Sequence, residues 1–253
     1  MVDEVVIAIL AKDKAHILPT YLQCLLNQTY PKGALHLYIR TNDNTDDTEN
    51  ILRNFVEENK RIYASIYFDP RSIDASITQY AAHEWNSHRF RILGNIRQES
   101  IAYAKGLDAH YFVADCDNLI APETLSAMVS MKHLGIVAPL LRSVTNYSNY
   151  HFSVSEGGYF EENTNYYAIL HGALRGCIQV AVVHCTYFIA SCVLHAISYD
   201  DGSDRHEYVI FSDVLRKKGI PQYIDTRQEY GTLTFAVTRE EFQAETIHSV
   251  TLV

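Results

Sequence analysis

The aliphatic run Val5 to Leu10 contains no polar residue. A strand reads that way when helices cover both of its faces. The residues after it impose the same arrangement. Ala11-Lys12-Asp13-Lys14 is a polar loop, and His16 to Asn27 carries Ile17, Leu18, Tyr21, Leu22, Leu25 and Leu26 at helical spacing. Pro31 and Gly33 break that helix, and Leu35 to Arg40 predicts a second strand. Asn42-Asp43-Asn44-Thr45-Asp46-Asp47-Thr48 is rich in side chains that cap helices. Glu49 to Asn59 then predicts a helix, and Arg61 to Phe68 a third strand. This order requires an α/β fold with a mainly parallel sheet flanked by helices, whose ligands bind beyond the carboxyl ends of the strands. The loops after Leu10 and Arg40 lie at that edge.

Asp69 to Asn86, with Pro70, has no period and reads as a long loop or lid. Ser87 to Ala104 returns to helical spacing, carries Arg89, Arg91 and Arg97, and ends at Gly106 and Asp108. Pro122-Glu123 opens another helix, since proline suits a first turn, and Gly135 to Leu140 predicts a short strand. The second half is less regular. Asn146 to Ala173 predicts hairpins and loops, and Gly176 to Ile189 is strand-like with His184 inside it as a core or pocket residue. Glu207 to Lys218 is an amphipathic helix stopped by Gly219-Ile220-Pro221. Gln222 to Ile224 is a short strand, Glu229-Tyr230-Gly231 a turn, and the tail through Thr246-Ile247-His248-Ser249 packs back as a strand. With no repeat, low-complexity tract or linker, the 253 residues predict a single domain, 1–253.

The chemistry concentrates where the apolar run Tyr111 to Ala114 ends in Asp115-Cys116-Asp117. In an extended backbone the two acids point to one side and Cys116 to the other, into the core. Paired carboxylates repel unless a cation sits between them. Hard oxygen ligands suit Mn²⁺ or Mg²⁺, which in turn holds a diphosphate. A short acid pair also occurs in ordinary turns, so the pair alone leaves both readings open. The net charge of −9 and the lack of a Lys/Arg-rich run argue against nucleic acid, and no stretch is apolar and long enough to span a membrane. Met1-Val2-Asp3-Glu4 offers no basic start for a secretory signal. The five cysteines form no Cys-x-x-Cys pair and read as reduced core thiols. The 18 tyrosines cluster in the second half and supply flat, amphipathic surface suited to sugars and peptides.

Collinear blocks then carry a resemblance. They begin with Ile9-Leu10-Ala11, Ala15-His16 and Leu18-Pro19, followed by Asp43-Asn44, Asp46, Trp85-Asn86-Ser87 and Arg97-Gln98. The strongest is Asp115-Cys116-Asp117-Asn118-Leu119-Ile120 with Pro122-Glu123-Thr124-Leu125, then Val137-Ala138-Pro139. Tyr147-Ser148-Asn149, Gly158-Tyr159, Arg175-Gly176-Cys177, Val183-His184-Cys185-Thr186 and Glu229-Tyr230-Gly231 complete it. Across nearly its whole length the chain resembles the N-terminal glycosyltransferase domain of the procollagen galactosyltransferases. The resemblance implies the A-type glycosyltransferase fold, with residues 1 to about 120 as the nucleotide-sugar half and about 121–253 as the acceptor half. It implies Mn²⁺- or Mg²⁺-dependent, inverting transfer of galactose from UDP-galactose to hydroxylysine of collagen-like chains. The second transferase domain and signal peptide of animal members are not seen. The expectation is therefore a single-domain microbial or viral relative, cytoplasmic or in host cytoplasm, with a homodimer left open. A retaining glucosyltransferase, a catalytically silent UDP-sugar-binding domain and a metal-dependent hydrolase are the competing readings.

The same resemblance implies the site. Asp115 and Asp117 hold the metal and His248 completes its shell. Ala11, Lys12, Asp13 and Asp43 meet uracil and ribose, with Cys116 of the Asp-x-Asp also at the nucleotide, and Arg97 reaches a uracil carbonyl or a phosphate. Trp85, Tyr147, Asn149, Tyr159 and Tyr166 flank the acceptor, although Trp85 is equally suited to a core. For the catalytic base Asp204, Glu207 and Asp213 compete. Alignment back from Glu229-Tyr230-Gly231 favours Glu207, which also sits in a first helical turn where the dipole favours a carboxylate. His206 replaces the first acid of the family's pair and is a candidate to bind the acceptor or to act as base.

Overall fold

The computed structural model describes residues 2–73 and 86–251, with side chains to residue 245. The first half follows the expected alternation: β1 (Val5–Ala11), α1 (Leu18–Leu26), β2 (Leu35–Thr41), α2 (Thr48–Asn59), β3 (Ser65–Asp69), α3 (Ser87–Gly106) and β4 (His110–Ala114). Next come β5 (Asn118–Ile120), α4 (Thr124–Ser130) and β6 (Ile136–Pro139). Three short strands follow, β7 (Tyr150–His151), β8 (Ser153–Val154) and β9 (Phe160–Glu161), and then α5 (Thr164–Leu170). The strand-like stretch divides into β10 (Cys177–Val180), β11 (Val182–Val183) and β12 (Thr186–Ile189). The chain closes with α6 (Glu207–Lys217), β13 (Gln222–Asp225), β14 (Gly231–Leu233) and α7 (Arg239–Thr251).

Eight strands form one sheet in the order β10-β13-β6-β12-β4-β1-β2-β3. β3, β2, β1 and β4 run parallel, as do β13 and β6, while β12 and β10 are antiparallel to their neighbours. The uninterrupted apolar run of β1 is explained by its burial on both sides. Val5, Ile7 and Ile9 pack with α1, α2 and α4, whereas Val6 and Ala8 face α3, α5 and α6. All five are fully buried. Two layers of helices on a mostly parallel sheet make this a doubly covered α/β fold.

Three local expectations are corrected. Asn146 to Ala173 contains the helix α5, capped by Asn163, whose side chain accepts from the Asn165 N–H at 2.9 Å. The tail is helical, α7, rather than a strand, with Glu240 and Glu241 in its first turn where the dipole favours acids. Asp115 and Asp117 lie in a turn between β4 and β5, closed by the Asn118 N–H to the Asp115 carbonyl at 2.8 Å, not in extended backbone. Among the described residues no helix is long and apolar enough to cross a membrane.

Candidate active site

The Asp115–Asp117 turn is pinned from several sides. The Asp115 N–H donates to the Cys185 carbonyl at 2.9 Å, and the Asp117 carbonyl accepts from the Thr234 N–H at 3.0 Å. Asn118 donates to Thr186 Oγ1 at 2.8 Å. Cys116 is buried as expected, its thiol 3.6 Å from the Leu10 carbonyl. The loops after β1 and β2 are laced together beside this turn. The Asp13 N–H donates to Asn44 Oδ1 at 3.0 Å, and Asp13 Oδ1 accepts from the Thr45 N–H at 2.6 Å. The Lys14 N–H donates to Thr48 Oγ1 at 2.7 Å, and the Ala15 N–H to Asp46 Oδ2 at 2.9 Å. Lys12 bridges the loops by donating to Asp13 and to the Asp43 carbonyl. The carboxyl edge of the sheet is thereby fixed, as the strand order requires.

These loops, the turn, α3 and the start of α6 enclose a cavity of about 890 Å³. Ala11, Lys12, Asp13, Asn42 and Asp46 from the two loops line it, as do Asp115, Cys116 and Asp117. Tyr147, His184, His206, Tyr208 and Phe235 line it as one connected cluster of rings, with Glu207 beside His206. Five charged groups share its floor. Arg97, buried on α3, donates from Nη2 to Asp115 Oδ1 at 2.9 Å, and its Nε lies 3.4 Å from Glu207 Oε1. His206 Nδ1 is 2.7 Å from Glu207 Oε2. Lys14 Nζ is 2.8 Å from Asp117 Oδ2. Gly94 lets α3 pass close to the backbone at Tyr199, because a Cβ there would meet the Tyr199 carbonyl at 3.0 Å, while its distance of 3.5 Å to Glu207 Cβ would be ordinary contact.

The electrostatics follow from burial opposed by these partners. Burial raises the Asp115 carboxyl above its ordinary value, and Arg97 opposes that rise without cancelling it. For Glu207, burial also pushes upward, but the hydrogen bond to His206 and the Arg97 charge win and hold it ionised, below its ordinary value. Burial would lower Lys14, yet Asp117 holds it above the usual lysine value. His184 is kept neutral, well below the ordinary histidine value, by burial.

Several expected residues take other positions. Arg97 lies in the floor, engaged by two carboxylates, rather than reaching out to a uracil or phosphate, although its Nη1 has no partner among the described residues. The Asp43 carboxylate accepts from Asn42 at 3.0 Å, from the Ile73 N–H at 3.1 Å and from the Ser72 hydroxyl, and Asp43 is not among the cavity-lining residues. Asn42, Asp13 and Asp46 hold that edge instead. Asn149 is fully buried, bonded to the Pro139 carbonyl at 2.8 Å and the Leu141 N–H at 3.0 Å, and so braces the scaffold. Tyr166 is buried too, its hydroxyl on the Asn146 carbonyl at 2.7 Å. Tyr159 is exposed outside the cavity, its hydroxyl 3.4 Å from the His206 N–H. Tyr147 and His206 do line the cavity. Trp85 lies outside the described residues, as does the side chain of His248, whose backbone belongs to α7. Asp204 is exposed near Arg91, and Asp213 is held by Arg205 and Lys217 away from the cavity, which leaves Glu207 as the only one of the three acids at the site.

The sequence reading missed Lys14 and Tyr208. Lys14 is one polar residue in a polar loop, and Tyr208 one of many tyrosines, so neither carried a distinguishing signal. Among the described residues no three His, Cys, Asp or Glu side chains form a cluster able to hold a metal ion unaided. Two carboxylates from one turn, opening on a cavity, still fit Mg²⁺ or Mn²⁺, since such ions are commonly held by one or two carboxylates together with substrate phosphates and waters.

The comparisons agree with this geometry. Mouse inactive glycosyltransferase 25 family member 3 is 27% identical over 97% of this chain and 44% of its own length. Human procollagen galactosyltransferase 2 is 28% identical over 97% of this chain and 41% of its own. A Drosophila melanogaster glycosyltransferase 25 family member is 31% identical over 71% of the chain and 30% of its own. The chain thus spans less than half the length of these relatives. Among solved structures, S. aureus TarS 1-349 in complex with UDP-GlcNAc superposes with a TM-score of 0.57 at 15% identity, covering 92% of this chain and 59% of that one. A Pyrobaculum calidifontis mannosyltransferase in complex with GDP-Man and Mn²⁺ superposes with a TM-score of 0.50 at 14% identity, covering 88% and 56%. The fold is that of the A-type glycosyltransferases. The description "Glycosyltransferase family 25, N-terminal domain" matches residues 2–253, and the chain belongs to that family.

Proposed function

We propose that this domain is a metal-dependent, inverting glycosyltransferase that moves a hexose, galactose first, from a UDP-sugar to hydroxylysine of a collagen-like chain. One observation carries the reading: the Asp115–Asp117 turn and the His206–Glu207 pair line the same cavity, which suits one to a metal-bound diphosphate and the other to an acceptor hydroxyl. The UDP-GlcNAc bound by TarS and the Mn²⁺ bound by the mannosyltransferase support the donor and metal classes. Asp115 and Asp117 would hold the ion, which when bound neutralises the charge of the departing UDP.

The chain's own residues do the rest. Asn42 offers an amide oxygen for uracil or ribose at the sheet edge, where Asp13 and Asp46 hold the two loops in place. Tyr147, Tyr208 and Phe235 give flat walls for the acceptor. Inversion needs a base on the acceptor side. Glu207 is buried with both oxygens engaged, so it is poorly placed to take a proton directly. With Glu207 ionised, His206 Nδ1–H donates to it, which leaves Nε2 as the basic atom of the ring. His206 then removes the acceptor proton while Glu207 orients and stabilises the imidazolium, the division of labour known for His–carboxylate pairs.

The test is hexose transfer from UDP-galactose and UDP-glucose to a hydroxylysine-containing Gly-X-Y peptide with Mn²⁺. His206→Ala and Glu207→Gln should each lose about 10²-fold or more in transfer rate while UDP affinity is kept. Parental transfer by His206→Ala would remove it as base. UDP-sugar binding by the parent without transfer to any acceptor would make the domain a silent donor-binding module; the mouse relative's name calls that protein inactive.

A further inference from the structure

Lys14 lines the cavity on a flexible stem and is the cation bonded to Asp117. Its backbone is fixed twice over. The N–H donates to Thr48 Oγ1 at 2.7 Å, and the carbonyl accepts the Ile17 and Leu18 N–H groups at 3.1 and 2.9 Å, at the start of α1. The ammonium reaches Asp117 Oδ2 at 2.8 Å, and both side chains keep about a quarter of their surface exposed to the cavity. Arg97, by contrast, is buried and planar, and is held between Asp115 and Glu207. The three carboxylates Asp115, Asp117 and Glu207 are therefore paired with two cations, Arg97 and Lys14, of which one can swing away. A free divalent ion approaching this turn meets little net negative charge, and must displace an ammonium already bonded to one of its two protein ligands.

We propose that Lys14 is an exchangeable counter-cation for Asp117, which suppresses metal binding in the absence of nucleotide and makes metal and diphosphate enter together. This rests on the reading of Asp115 and Asp117 as the metal ligands. When the diphosphate arrives it supplies the negative charge that the floor lacks. Asp117 is then released to the ion and the ammonium is free to turn to the phosphate oxygens, a change for which a compact charge on four methylenes is suited and a guanidinium is not. Coupling of this kind is reciprocal: UDP must tighten Mn²⁺ by the same factor by which Mn²⁺ tightens UDP.

The probes are Mn²⁺ alone, followed by electron paramagnetic resonance of the free ion, and Mn²⁺ with UDP, followed by calorimetry. Lys14→Met should bind nucleotide-free Mn²⁺ at least about tenfold more tightly than the parent, and its coupling factor with UDP should fall by a similar amount. Lys14→Arg keeps a charge against Asp117 and should leave nucleotide-free Mn²⁺ binding as weak as in the parent. Equal nucleotide-free Mn²⁺ affinity in the parent and Lys14→Met overturns the proposal. The Asp115→Asn/Asp117→Asn double variant separates the two claims. If it binds Mn²⁺ with UDP as well as the parent does, the metal site itself is misplaced; if it loses Mn²⁺ while Lys14→Met gains none, only the role of Lys14 fails.

Discussion

Replacing Arg97 by methionine removes one buried cation from between two carboxylates and fills a similar volume. Arg97 is 3% exposed and Glu207 likewise 3%. At the observed 2.9 and 3.4 Å and an effective dielectric near 20, each attraction is worth about 5 kcal/mol before desolvation is subtracted. Desolvation of the guanidinium offsets much of that, and the measurable consequence is the charge left behind. Breaking a buried pair by deleting one partner costs about 3–5 kcal/mol, equivalent to roughly 6–20 °C in Tm for a chain of this size. The pH dependence identifies the cause. In the parent the Glu207 carboxyl is depressed, so its contribution is present above the unfolded carboxylate range near 4.3 and is lost as pH falls through the folded value. Without Arg97 burial dominates, the carboxyls of Glu207 and Asp115 move up, and protonating them relieves the variant. The deficit of Arg97→Met should therefore be full at pH 7 and shrink as pH falls toward 4. Urea unfolding followed by near-ultraviolet circular dichroism at both pH values measures it. A deficit below about 1 kcal/mol, or one equal at pH 7 and pH 4, would show that Arg97 is not balancing buried charge.

Two further outcomes concern the frame of the site. Gly231 has φ +136°, and a Cβ there would lie 2.1 Å from the Leu119 carbonyl oxygen across the β14–β5 pair, so Gly231→Ala should cost at least about 2 kcal/mol in urea unfolding; a parental midpoint would refute the close approach. Cys192 is exposed whereas burial raises the Cys116 thiol, so a disulfide-exchange reagent should modify Cys192 in the folded protein and Cys116 only on unfolding; early labelling of Cys116 would mean that the Asp115–Asp117 turn opens.

The strand–helix alternation of residues 5–120 was legible because each element there obeys one local rule. β1 is apolar throughout, since both faces are covered, β2 is buried along its whole length with apolar residues at Leu35, Leu37, Tyr38 and Ile39, and α1 and α2 keep a clean helical period. Where several rules compete, the sequence reading failed. α5 is a short helix among tyrosines and asparagines that also suit loops, and α7 has no apolar face to signal a helix against a strand. The Asp-x-Asp pair was found by its chemistry, but its backbone is a turn, a shape set by hydrogen bonds to Cys185, Thr186 and Thr234 from distant parts of the chain. Glu207 was placed at a helix start by periodicity alone, and α6 begins there. That it would be buried against Arg97 and His206 depended on how α3 and α6 pack, which no local pattern records. Asp43, Asn149 and Tyr166 fit the composition of a binding site but are engaged by the scaffold, because the folded chain brings backbone partners to their polar groups. Lys14 shows the opposite case. Nothing in the polar loop after β1 distinguishes it, and it became part of the site only when the fold brought Asp117 within 2.8 Å across 103 residues of sequence. Periodicity is a local property that a sequence carries openly. Charge balance in a buried cleft is a sum over residues that only the tertiary structure brings together.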